Sequence, residues 1–126
     1  MPNQRRSRLE RLMGCLDEWI DPAAIRPSLL HGDLWAGNYF AGPDREPVLI
    51  DPAIYYGDRE VELAFTELFG GFSADFYAAY NEAWSLSPGY PDRKRLYQLY
   101  PLLVHLNHFG EGYGSAVDGV LAHYVG

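Results

Sequence analysis

Two short apolar runs, Tyr39-Phe40-Ala41 and Val48-Leu49-Ile50, flank the turn-forming segment Gly42-Pro43-Asp44-Arg45-Glu46-Pro47. Turn residues between β-prone runs read as a hairpin, and a hairpin returns the chain to the end from which it left. No other pattern in the sequence constrains the fold as tightly, because both ends carry oxygen-bearing side chains. Asn38 stands at the entry and Asp51 at the exit, so the two are expected side by side. The approach is as distinctive. Leu30-His31-Gly32-Asp33-Leu34-Trp35-Ala36-Gly37-Asn38 gathers a histidine, an aspartate, an asparagine and two glycines into one loop, with Asp33 facing the same end.

The rest of the chain reads as helical. Leu9, Leu12, Met13, Leu16, Trp19 and Ile20 recur at the three-and-four spacing of an amphipathic helix. Asp21-Pro22 should stop it, since proline cannot continue a helix and restrains the residue before it. Residues 26–30 read as a linker into a very short strand. After Gly57, the run Val61, Leu63, Ala64, Phe65, Leu68 and Phe69 suits a largely buried helix ended by Gly70-Gly71. Ser73 can cap a further helix through Trp84, and residues 85–91 compose a loop. Asp92 is placed to cap a long helix carrying Leu96, Leu99, Leu102, Leu103 and Leu106, kinked at Pro101 and ended at Phe109-Gly110. Ser115 with Asp118 should open a short last helix. The expected fold is mainly α with a small β-hairpin: one helix, the hairpin, then four helices.

Composition limits the function classes. The 126 residues suit a single domain able to bury its own core. Cys15 is the only cysteine, which rules out an intrachain disulfide and points to a reducing, cytoplasmic compartment. No apolar run reaches the roughly 20 residues of a membrane span, and no charged-then-apolar leader opens the chain, so no membrane partner is expected. A formal net charge of −7 argues against nucleic acid as a partner. The basic cluster of Arg5, Arg6, Arg8 and Arg11 lies at helical spacing and reads as a solvated helix face. Cys15, on the apolar side of that helix, reads as a small core residue.

Asn38 and Asp51 at one end of a hairpin make a site for Mg²⁺, a hard ion that prefers carboxylate and amide oxygens together with phosphate. Phosphoryl transfer needs that arrangement: a metal to neutralise the triphosphate, and a carboxylate to orient the attacking hydroxyl and take its proton. Asp-x-x-x-x-Asn, a hairpin and a second Asp is the order of the protein-kinase catalytic segment. Here Gly32 follows His31 where Arg is usual, and Pro52 follows Asp51 where Phe is usual. The competing reading makes Asp33, Asn38 and Asp51 ordinary turn and cap residues. His31 is expected to hydrogen-bond its own loop rather than act as base or ligand. Tyr55 and Tyr56 read as packing.

The segments HGDLWAGN, VLIDPAIYYGDREVELAFTELFGGF and LYPLLVHLNHFGEGY resemble the fructosamine-3-kinase (ketosamine kinase) family, a branch of the aminoglycoside-phosphotransferase-like kinases, over roughly Pro27 to Tyr113. His31-Gly32-Asp33 is shared by the wider superfamily, whereas Asp33-Leu34-Trp35, Asp51-Pro52-Ala53 and residues 106–110 favour the ketosamine branch. The resemblance implies that residues 1–126 form the C-terminal lobe of a protein-kinase-like fold. It implies transfer of the ATP γ-phosphate to a sugar hydroxyl of a glycated amine. Within it Asp33 matches the catalytic base, Asn38 and Asp51 match the Mg²⁺ ligands, and Trp35 and His105 match positions lining the sugar pocket. Two positions depart. Gly57-Asp58 stands where the family usually has Gly-His, and Glu62 where Asp is common, so neither Asp58 nor Glu62 is assigned to the site.

A kinase also needs a Gly-rich loop over the phosphates and a strand lysine gripping them. No Gly-x-Gly-x-x-Gly precedes His31, and the single lysine, Lys94, falls in a late helix. The N-terminal, ATP-gripping lobe is therefore expected to be absent, lost by truncation or supplied by another polypeptide. Alone, the chain is expected to be inactive as an ATP- and Mg²⁺-dependent phosphotransferase. The alternative is a non-catalytic remnant acting as a binding or interaction module, which holds a sugar-amine or a partner, or self-associates, through its uncovered apolar surface. A metal-dependent phosphohydrolase built on His31 and Asp33 is weaker, because such sites gather more ligands than four histidines offer.

Overall fold

In the computed structural model, which describes residues 1–126, the chain divides into two units. One comprises Met1–Ile25 with Pro91–Gly126, the other Arg26–Tyr90. The fold is mainly helical with small antiparallel sheets, as the residue patterns imply.

Three helices build the first unit: α1 (Asn3–Met13), α4 (Tyr90–Phe109, of which Tyr90 belongs to the second unit) and α5 (Gly114–Val125). α1 packs on α5. Leu12, Leu96, Leu99, Leu102, Leu106, Val117, Val120 and Leu121 are buried, the apolar positions of their helices. α1 stops at Gly14, about two turns before the expected Asp21-Pro22. Glycine costs a helix about 1 kcal/mol relative to alanine, and here the chain leaves the helix at it. The next residues form single 3₁₀ turns at Leu16–Glu18 and Pro22–Ala24, the second capped by the Asp21 carboxylate accepting the Ala23 N–H at 3.0 Å. Cys15 is consequently half-buried rather than part of the core.

The solvated basic face holds only in part. Arg6 is exposed and pairs with Glu10 one turn on, at 3.1 Å. Arg5, by contrast, is buried and paired with Asp118 and Glu111. Asp118 therefore serves Arg5 instead of capping α5, which opens at Gly114 after a 3₁₀ turn over Glu111–Tyr113, with Ser115 inside the helix. α4 begins at Tyr90, so Asp92 lies in its first turn rather than at its cap, and the helix continues through Pro101 to Gly110.

The second unit carries four three-residue strands and two helices. β2 (Tyr39–Ala41) and β3 (Pro47–Leu49) form the expected hairpin, with Tyr39 opposite Leu49, Phe40 opposite Val48 and Ala41 opposite Pro47. β1 (Ser28–Leu30) pairs antiparallel with β4 (Tyr55–Gly57), a strand not foreseen because its partner lies far away in the sequence. α2 (Arg59–Leu68) is capped by Asp58, which accepts the Glu60 N–H at 2.9 Å. α3 (Ala74–Ala83) is capped by Ser73, whose hydroxyl accepts the Phe76 N–H at 3.3 Å. Leu30, Leu63, Ala64, Thr66 and Tyr90 are buried. The Tyr90 hydroxyl donates to Glu67 at 2.6 Å, and burial together with that carboxylate pushes its ionisation far above the usual tyrosine value. Arg59, at the start of α2, donates to the carbonyls of Trp84 and Ser85 and stacks 3.7 Å from the centre of the Trp84 ring, fixing the end of α3 to the start of α2.

Candidate functional site

The loop between β1 and β2 is held by backbone bonds that its sequence makes available. His31 Nε2–H donates to the Ile50 carbonyl at 2.7 Å, and its Nδ1 accepts the Asp33 N–H at 3.2 Å. Both ring nitrogens are thus spent on the loop and on the hairpin's return, the structural role expected of this histidine. The His31 carbonyl accepts the Ala53 N–H at 2.8 Å, which draws the segment after Asp51 against the loop. Gly32 sits between them at φ +90, and a Cβ there would strike the Ala53 backbone. Both the dihedral and the close approach require glycine at this position.

Asn38 is buried, and its Nδ2 donates to the Asp33 carbonyl at 2.9 Å and to Asp33 Oδ2 at 3.2 Å. With the amide nitrogen committed to Asp33, Oδ1 is the group left to face away from it as an acceptor. The Asn38 carbonyl accepts the Ile50 N–H at 2.9 Å, one residue before Asp51. Asp51 is exposed and adopts φ +50, the left-handed region that aspartate tolerates better than most residues. The hairpin thus brings Asp33, Asn38 and the chain at Asp51 together, as the spacing implies. An amide oxygen and an exposed carboxylate suit Mg²⁺, which binds through one or two protein oxygens and keeps its other positions for water and phosphate. The donor set fits that ion. No group of three or more His, Cys, Asp or Glu side chains converges anywhere in the chain.

Trp35 is 45% exposed, and its ring lies over Gly37, where a Cβ would collide with it. Beside it, Ala36 meets Gly71, and the Tyr39 hydroxyl donates to the Gly71 carbonyl at 2.9 Å while its ring stacks on Phe72 at 4.8 Å. The Gly70-Gly71-Phe72 corner that follows α2, with both glycines at positive φ, therefore supports the loop. His105 belongs to the first unit. Its Nδ1–H donates to the Pro101 carbonyl at 2.8 Å, and its ring lies 5.1 Å from Tyr113 and 5.5 Å from Phe109.

Glu62 is the residue that sequence reasoning passed over. Its carboxylate accepts the His31 N–H at 3.2 Å and the Gly32 N–H at 2.7 Å, anchoring the loop to α2. The available signal was an acid one turn into a helix that opens just after the hairpin; the departure from Asp to Glu masked it. Asp58, also left unassigned, is the α2 cap. Burial, followed by the charges of Glu62 and Asp58, pushes the Tyr55 hydroxyl above its usual value.

The chain is similar to known proteins over nearly all of its length. The family model described as fructosamine kinase matches residues 2–126, extending the resemblance beyond its expected limits at both ends. A protein of Lactiplantibacillus plantarum named "Probable ketoamine kinase" is 59% identical over 100 residues, covering 79% of this chain and 36% of that protein. The mouse protein named ketosamine-3-kinase is 50% identical over 95 residues, covering 75% of this chain and 30% of that one. A crystal structure described as that of a "putative fructosamine-3-kinase" from Thermobifida fusca superposes with a TM-score of 0.84 at 36% identity, covering 98% of this chain and 42% of the other. The chain thus spans less than half the length of these relatives. With its fold and nearly all of its length matched, the chain belongs to the fructosamine kinase family.

Proposed function

We propose that residues 1–126 are the C-terminal, acceptor- and metal-binding lobe of a small-molecule kinase that phosphorylates a sugar hydroxyl of a ketosamine, with ATP as donor. The observation that carries this reading is the Asn38 side chain, buried with its amide nitrogen donating to both the Asp33 carbonyl and the Asp33 carboxylate. Asp33 would orient the attacking hydroxyl and take its proton. Asn38 Oδ1 and the Asp51 carboxylate would hold Mg²⁺, which when bound supplies charge neutralisation for the phosphates. His31 and Glu62 keep the loop in shape without touching substrate. Trp35 in the loop would contact the sugar-amine, and His105, in the other unit, is read as an acceptor contact from the family resemblance alone. The names of the relatives support a ketosamine as the substrate class. The grip on the donor phosphates would come from residues outside these 126, since the only lysine is Lys94.

The test mixes the chain with a separately expressed N-terminal lobe, ATP, Mg²⁺ and a fructosamine. Phosphoryl transfer to the sugar is the expected result; no transfer, from the mixture or from a full-length parent, would defeat the reading.

A second reading, a non-catalytic binding module, draws on exposed apolar side chains around the strands: Leu49 at 55%, Ile54 at 66% and Tyr56 at 73% exposed. Calorimetry separates the two. Tight Mg²⁺–ATP binding by the isolated chain would rule out the binding-module reading.

A further inference from the structure

The turn joining α4 to α5 is Gly110-Glu111-Gly112-Tyr113-Gly114, with three glycines in five residues. Such a segment loses much conformational entropy on ordering, so its shape needs an anchor. Gly110 leaves α4 at φ +90, and the Tyr113 N–H reaches the Gly110 carbonyl only at 3.3 Å. The anchor comes from α1. Arg5, 5% exposed, donates through Nη1 and Nη2 to the Glu111 carboxylate at 2.9 and 3.1 Å. Its other edge donates through Nε and Nη2 to Asp118 on α5 at 2.8 and 2.9 Å. One planar guanidinium thus serves two carboxylates, which a lysine ammonium cannot do with the same geometry. A Cβ on Gly114 would collide with both the Glu111 carboxylate and the guanidinium, so glycine there is what lets the pair close.

The same turn bears on the acceptor through Tyr113. The Tyr113 ring lies 5.1 Å from His105 and 6.2 Å from Phe109, and Phe109 lies 5.5 Å from His105. The imidazole is therefore set by the Pro101 carbonyl on one side and by aromatic rings on the other. We propose that Arg5 is a positioning residue for acceptor recognition: through Glu111 it holds the Tyr113 ring against His105, and so fixes the imidazole that meets the sugar-amine. The two carboxylates divide the work. Asp118 fastens α1 to α5, and Glu111 fastens the turn. This inference rests on the reading of His105 as an acceptor contact.

The experiment compares Glu111→Ala with Asp118→Ala in the full chain, following the His105 ring protons by NMR without ligand and then titrating an N-substituted 1-amino-1-deoxyfructose. Glu111→Ala should move the His105 resonances, through the lost Tyr113 ring current, and raise the Kd about threefold to tenfold, the cost of re-ordering a loosened side chain on each binding event. Asp118→Ala should lower the Tm while leaving the His105 resonances and the Kd at their wild-type values. A purely structural ion-pair cluster would make the two variants alike, and that result, or unmoved His105 resonances in Glu111→Ala, overturns the proposal. If the resonances move as expected but the wild-type chain binds no ketosamine, the contact through Tyr113 stands and the acceptor reading of His105 is what fails.

Discussion

The Glu62 carboxylate accepts the Gly32 backbone N–H at 2.7 Å across thirty residues of sequence. It also takes the His31 N–H, so one side chain on α2 serves two donors in the loop that carries Asp33. Removing it takes the acceptor from both. Glu62→Ala should cost about 1–2 kcal/mol, chiefly the penalty for leaving the part-buried His31 N–H unsatisfied while water reaches the exposed Gly32 N–H, read from urea denaturation. Glu62→Asp retains the charge but is a methylene short, and should recover only part of the loss. Wild-type stability in Glu62→Ala would show that solvent replaces the carboxylate at no cost.

Gly32 and Gly70 both have positive φ but differ in their surroundings. A Cβ on Gly32 would run into the Ala53 backbone, whereas one on Gly70 would meet nothing within 4 Å. Gly70→Ala should therefore lose about 1 kcal/mol from backbone strain alone. Gly32→Ala carries the steric conflict in addition and should lose more, with the His31-to-Ala53 bond broken. Thermal melts of the two variants side by side give the comparison; equal losses would contradict the close approach.

Acid should act on the first unit through Arg5. Its hydrogen bonds hold the Glu111 and Asp118 carboxyls below their usual values of 4.5 and 3.8. A depressed carboxyl contributes stability that is complete above its unfolded value and disappears as the pH falls through the folded one. The Tm should therefore be flat from neutral pH to about 5 and fall below 4. In Asp118→Ala that acid-dependent fall should be shallower, because one of the two linked protons is gone. A parallel fall in both proteins would place the acid lability elsewhere.

The fold was legible wherever local signals decide it. The turn between residues 42 and 47, the Gly70-Gly71 stop and the Ser73 cap each act within a few residues, and each forms as its chemistry requires. Pairing of β1 with β4 was hidden because three-residue strands carry no measurable alternation and the partners are non-local. Gly14 mattered more than the apolar period that runs past it. At the site, Asp33, Asn38 and Asp51 could be placed together because a hairpin fixes the relation of its two ends. Glu62 and Arg5 could not, since each acts on a partner brought near only by tertiary packing.

The central claim is that Asp33 serves the proton and Asp51 the metal. It is tested most directly by the Mg²⁺ dependence of ATP-to-fructosamine transfer in the chain combined with an N-terminal lobe, comparing Asp33→Asn with Asp51→Asn. Asn tolerates the left-handed backbone at position 51, so that variant removes charge without disturbing the turn. Asp33→Asn should lower the rate at saturating Mg²⁺ at least about a hundredfold with an unchanged Mg²⁺ requirement. Asp51→Asn should shift the half-saturating Mg²⁺ concentration upward. Wild-type rates in Asp33→Asn, or an unshifted Mg²⁺ dependence in Asp51→Asn, would contradict the assignment.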